Sequence, residues 1–122
     1  MLLIDAIHES LRQYRYYFQD SKALIDGRGN HPCIIQWETF NEGDMVSHFD
    51  AAKVVEWAKQ YDPSRLVDTN SGGRANNLHV GDVNDIHSYP WPGHPKPSAT
   101  QAAMIGEFGG IYLLLCVISL SL

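Results

Sequence analysis

Four short runs of apolar residues, each closing on polar side chains, set the rhythm of the chain. Cys33 to Phe40 reads CIIQWETF and runs into Asn41-Glu42-Gly43. Arg65 to Thr69 reads RLVDT and meets the turn-rich Asn70-Ser71-Gly72-Gly73. Val83 to His87 reads VNDIH, and Ala102 to Gly106 reads AAMIG before Glu107. Short runs bounded by Pro, Gly and Asn predict strands, the first of them buried.

Two stretches follow the helical period instead. Ile7, Leu11, Tyr14, Phe18 and Ile25 recur three to four apart, predicting a helix over 5–26 that Gly27 and Gly29 end. Residues 47–61 predict a second helix, with Val54, Trp57, Ala58 and Tyr61 on one face. Ser47 is its expected cap, with Asp50 three residues on, and Asp62-Pro63 its stop. The segment SYPWPGHPKP carries four prolines, which forbid a regular helix or a central strand.

Strand, polar loop, helix, strand predicts parallel strands joined by crossovers, the α/β class. A parallel crossover takes about a dozen residues or more. Residues 70–82 and 88–101 just reach that length and hold little that would form a helix. The 122 residues suffice for one domain with a core. A closed (β/α)8 barrel takes about 250.

Composition narrows the class of partner. At 44% apolar and 19% charged residues, general disorder is excluded. The net charge is −5 and the nine Lys and Arg are scattered. A basic face for nucleic acid or an anionic membrane is therefore not expected, and a neutral ligand fits better. Cys33 and Cys116 stand far apart in sequence and are expected as buried thiols. Residues 111–122, IYLLLCVISLSL, carry no charge and are too short for a bilayer, which takes about 20. This tail reads as a strand pairing with parts outside the sequence, as sequence foreign to the fold, or as a membrane- or partner-binding segment.

The strand ends carry the chemistry. They present Asn41-Glu42, Asp68-Thr69-Asn70, His87-Ser88-Tyr89 and Glu107. In a parallel barrel such ends gather on one face. Glu42 and Glu107 would then approach from different strands, as a sugar-cleaving pair requires: one carboxyl protonates the leaving oxygen and the other attacks the sugar carbon. Like charges that close disfavour double ionisation, so one proton is retained. Taken singly, each Glu reads first as a solvated loop residue, since Glu is mostly exposed. Trp91 in the proline loop reads as a platform for a sugar ring, whereas Trp37 and Phe40 read as strand core. His87 reads as a hydrogen-bonding residue of the pocket, Asp85 as structural and Asp82 as a spare carboxylate. The spacings of His31, His79, His87 and His94 match no ligand template, so no metal site is expected.

Asn30-His31-Pro32-Cys33-Ile34-Ile35-Gln36-Trp37 followed by Phe40-Asn41-Glu42 resembles the fourth-strand signature of glycoside hydrolase family 2. This family includes β-galactosidases, β-glucuronidases and β-mannosidases. Tyr61 to Val67 (YDPSRLV) resembles its lead-in to the fifth strand. Asp85-Ile86-His87-Ser88-Tyr89-Pro90 resembles the sixth, and Ile105-Gly106-Glu107-Phe108-Gly109-Gly110 the seventh. The resemblance implies a partial TIM barrel, strands four to seven, over residues 1–110. It implies Glu42 as acid/base, Glu107 as nucleophile, and Asn41 as the residue that hydrogen-bonds the sugar 2-hydroxyl. Tyr89 matches the sixth-strand tyrosine near the nucleophile; Asn70, His87 and Trp91 are further pocket candidates. It also implies a carbohydrate substrate, a retaining mechanism, no organic cofactor, and missing domains of a parent enzyme: a sugar-binding-like β-sandwich, an immunoglobulin-like domain and the rest of the barrel. The alternative is a non-catalytic carbohydrate-binding or scaffold protein with a barrel-like fold. A second alternative is a small α/β protein in its own right with merely polar strand ends; carboxyls of Glu42 and Glu107 about 10 Å or more apart would exclude direct attack with acid assistance.

Overall fold

The computed structural model describes residues 2–42, 49–72 and 79–110, with side chains from Arg12 onward. Among these residues, two helices and four strands follow in the order α1 Leu2–Arg28, β1 Gln36–Glu38, α2 Ala51–Tyr61, β2 Leu66–Asp68, β3 Val83–Ser88 and β4 Ala102–Phe108. The α/β class holds. The chain forms a small α/β unit with two two-stranded sheets, the form of an unclosed piece of barrel.

Strands β1 and β2 pair in parallel, Trp37 opposite Val67. Their ladder continues past the strand ends. Ser71 N–H donates to the Phe40 carbonyl at 2.9 Å, and Glu42 N–H to the Ser71 carbonyl at 2.8 Å. Strands β3 and β4 form a second parallel pair, Val83 opposite Ala102. The pairs are stitched at their start, where Asp82 N–H donates to the Val67 carbonyl at 2.8 Å and Val67 N–H to Asp82 Oδ2 at 2.9 Å. Asp82, expected to be spare, thus joins the sheets and also pairs with Lys59.

Alternation along the strands separates two faces. Val67 packs with Val55 and Ala58 of α2, with Trp57 and Val80 around them. Trp37 is buried, and its indole N–H donates to Asp62 Oδ2 at 2.8 Å. A second cluster joins Phe40, Phe49, Ala51 and Val54 to Tyr14, Tyr17 and Phe18 of α1. Tyr17 stacks on Phe40 at 5.3 Å, and its hydroxyl donates to the Thr39 carbonyl at 2.8 Å. So α1 and α2 cover the apolar side, and Trp37 and Phe40 are core.

Several expectations shift. The first strand is three residues long, not a run from Cys33. Ile35 is 69% exposed and Cys33 is exposed; both precede strand β1, although the Ile35 carbonyl accepts from Leu66 N–H at 3.2 Å. The buried-thiol expectation fails for Cys33; Cys116 and the tail 111–122 lie outside the described residues. Asp50, not Ser47, sits at the N-cap of α2 and accepts from Lys53 N–H at 3.2 Å; Ser47 lies outside the described residues. The helix α1 runs through Gly27 and ends where Gly29 N–H donates to the Ile25 carbonyl at 2.7 Å. Strand β4 extends to Phe108, two residues beyond the apolar run. Residues 89–101 link β3 to β4 without a helix, in keeping with their prolines.

Candidate active site

The site is built from the polar ends of the two sheets. Glu42 follows β1 with φ 49°, a left-handed backbone that L residues seldom adopt. Its amide is fixed by the Ser71 carbonyl, and Asn41 forms a parallel bridge with Ser71. The Glu42 side chain thereby reaches the open face, 59% exposed.

Glu107 is aimed by a bulge. The β3–β4 register pairs Ile86 with Ile105 and then His87 with Glu107, skipping Gly106. Paired residues of parallel strands point the same way, so the extra residue turns Glu107 onto the His87 side of the sheet. Gly106 is confined to glycine: an added Cβ would lie 2.1 Å from Asp85 Oδ2 and 2.6 Å from Ser71 Oγ. Its N–H donates to Asp85 Oδ1.

His87 lies between the two glutamates, its side chain only 6% exposed. Its Nδ1 is 3.0 Å from Glu42 Oε1, and its Nε2 is 3.6 Å from Glu107 Oε1. Nε2 also meets Ser71 Oγ at 2.8 Å, and Ser71 Oγ in turn donates to Asp85 Oδ2. Tyr89 places its ring 6.2 Å from that of His87, and its hydroxyl donates to Glu107 Oε2. Glu42, His87 and Glu107 each present one donor atom, all within 4.8 Å of one another. That spacing also suits a divalent cation. However, His87 Nδ1 already meets Glu42 and Nε2 meets Ser71, and exposed acidic groups are commonly that close without an ion. Histidine spacing alone gave no hint of this grouping.

Beneath the open face lie two further acids. Asp68 and Asp85 are fully buried. Burial, then the charge and hydrogen bond of Asp85, push the Asp68 carboxyl up to about 7. Glu38 is also raised, chiefly by burial, then by Asp85; nearby His87 opposes the shift and Glu107 adds to it.

Of the seven site residues expected, Glu42, His87, Tyr89 and Glu107 come together directly, and Asn41 joins through its backbone. Asn70 is fully enclosed, with neither side-chain amide atom partnered. Trp91 stands 74% exposed, held by Ser88 Oγ donating to its carbonyl at 2.8 Å. The sequence reading missed Ser71 and Glu38. Ser71 could have been found from its place at a strand end, and Glu38 from alternation with Gln36.

Residues 5–102 match the family described as glycosyl hydrolases family 2, TIM barrel domain. The chain belongs to glycosyl hydrolase family 2. Among curated relatives, a β-galactosidase of Vibrio cholerae is 31% identical over 88 residues, 72% of this chain and 8% of that protein. One of Pectobacterium atrosepticum is 31% identical over 90 residues, 70% of this chain and 8% of its own length. One of Klebsiella pneumoniae is 38% identical over 50 residues, 41% of this chain and 5% of its own. The chain thus spans under a tenth of the family 2 relatives it matches. Among the described residues, no helix is long and apolar enough to cross a membrane.

Proposed function

We propose that this segment supplies the acid/base and the nucleophile of a retaining β-glycosidase, acting on a β-galactoside or a closely similar sugar. The observation that carries this reading is the approach of Glu42 and Glu107 to within 4.8 Å between donor atoms across His87. Retaining glycosidases hold their two carboxyls about 5–5.5 Å apart; inverting ones leave about 6.5–9.5 Å for a water. Glu107 is the nucleophile: Tyr89 donates to its second oxygen, which suits a carboxylate that must stay ionised. Glu42 is the acid/base: its contact is an imidazole nitrogen able to give or take a proton. Asn41 then holds the sugar 2-hydroxyl, and Trp91 offers a flat apolar face to a ring. The relatives named above are β-galactosidases, which favours galactose as the sugar.

The reaction has two steps. Glu107 attacks the anomeric carbon as Glu42 protonates the departing oxygen. Water, deprotonated by Glu42, then releases the sugar from Glu107. Residues 1–110 act as part of a catalytic barrel, and the remaining strands and domains complete the sugar pocket. The test is covalent trapping in the full-length polypeptide with a 2-deoxy-2-fluoro-galactosyl fluoride. Peptide mass spectrometry is expected to find one fluorosugar esterified to Glu107, and none in Glu107→Gln. Labelling at Glu42, or at neither glutamate, would overturn the reading.

A further inference from the structure

The hydrogen bonds behind His87 run in one direction, and that direction has a chemical consequence. Asp85 is the fixed end. Its Oδ1 accepts from Gly106 N–H, and its Oδ2 from Ser71 Oγ. The buried Asp68 carboxyl is raised in part by the charge of Asp85. A serine hydroxyl has one proton. With that proton on Asp85, Ser71 Oγ can only accept from His87 Nε2, 2.8 Å away. The seat is tightly shaped around these groups. A Cβ on Gly106 would collide with Asp85 and Ser71, and one on Gly72, which has φ +63°, would lie 2.3 Å from the His87 ring. Ser71 also carries Glu42 on its carbonyl. One residue therefore orients both the glutamate and the imidazole that touches it.

The geometry points to Asp85 and Ser71 as positioning residues that keep a proton on His87 Nε2, so that the ring exchanges its other proton only at Nδ1, against Glu42. Glu107 Oε1 lies 3.6 Å from Nε2. With the Nε2 proton committed to Ser71, the ring does not hand it to the nucleophile. The two glutamates are thus separated in role by the ring between them. At Nδ1 the ring faces Glu42 Oε1, 3.0 Å away, so the contact it can share a proton through is with the acid/base and not with the nucleophile.

This inference rests on the acid/base assignment of Glu42, but its test does not use turnover. The protonation of each ring nitrogen is read by long-range nitrogen–proton NMR on the 122-residue chain labelled at histidine, with His87 assigned by loss of its signals in His87→Gln. The wild-type chain is expected to show a protonated Nε2. Asp85→Asn is the sharp variant. Gly106 N–H still needs an acceptor, so the amide oxygen turns to it and the amide NH2 faces Ser71. The serine then donates to His87, and the ring proton moves from Nε2 to Nδ1. Ser71→Ala is expected to leave the ring averaging between both forms. An unprotonated Nε2 in the wild-type chain would overturn the inference even if neither variant folds, and so would a protonated Nε2 retained in folded Asp85→Asn. Neither result touches the fluorosugar test of Glu107, which stands or falls separately.

Discussion

Tyr89 gives Glu107 a hydroxyl donor on one oxygen while His87 faces the other. A hydrogen bond to a charged group contributes about 1.5–3 kcal/mol. Tyr89→Phe removes the donor and leaves the ring, so kcat/KM of the full-length polypeptide is expected to fall about 10- to 100-fold. The fall should appear in the glycosylation step, read as loss of the burst in pre-steady-state release of nitrophenol. An unchanged rate would mean that the hydroxyl does nothing for the attacking carboxylate. Ser71, by contrast, acts through others: its amide, carbonyl and hydroxyl each hold a different part of the site.

At the scale of elements, the decisive device is the bulge at Gly106. Gly106→Ala would bring a methyl within 2.1 Å of Asp85 Oδ2. Overpacking of this kind costs about 1–3 kcal/mol. The expected outcome is a lower urea midpoint together with a His87 signal displaced from its wild-type position, since the same methyl presses on Ser71. The bulge also shows where a sequence stops being informative. The apolar runs announced four strands, and the polar residues after them announced Glu42 and Glu107. A skipped residue in a ladder leaves no mark on a hydrophobic pattern, so which way Glu107 faced depended on pairing with β3. Cys33 and Ile35 were misplaced for a related reason. They are apolar and sit in the run that predicted a strand, yet residue pairing with β2 starts only at Gln36. Asp85 was read as structural from alternation alone. Its burial follows from that pattern, but its line through Ser71 to His87 depends on β2 lying beside β3.

For the molecule as a whole, the buried acids set a pH dependence. The Asp68 carboxyl rises from an ordinary 3.8 to about 7 in the fold. Between those values the folded chain keeps a proton that the unfolded chain has lost. Stability therefore falls as pH rises through about 4 to 7, and levels off above. Urea unfolding across that range is expected to show the decline, and Asp68→Asn is expected to flatten it. A slope unaltered by Asp68→Asn would place the pH dependence elsewhere. The chain spans about 8% of the length of its β-galactosidase relatives, and on the proposed reading the sugar pocket is completed by further parts of the barrel. Residues 1–122 alone are accordingly expected to release no nitrophenol from a nitrophenyl β-galactoside. The left-handed backbone at Glu42 adds a tension between durability and chemistry. Glycine is at ease with φ 49° and glutamate is not. Exchanging Glu42 for glycine should therefore trade chemistry for durability: a higher urea midpoint in a polypeptide that has lost its proposed acid/base.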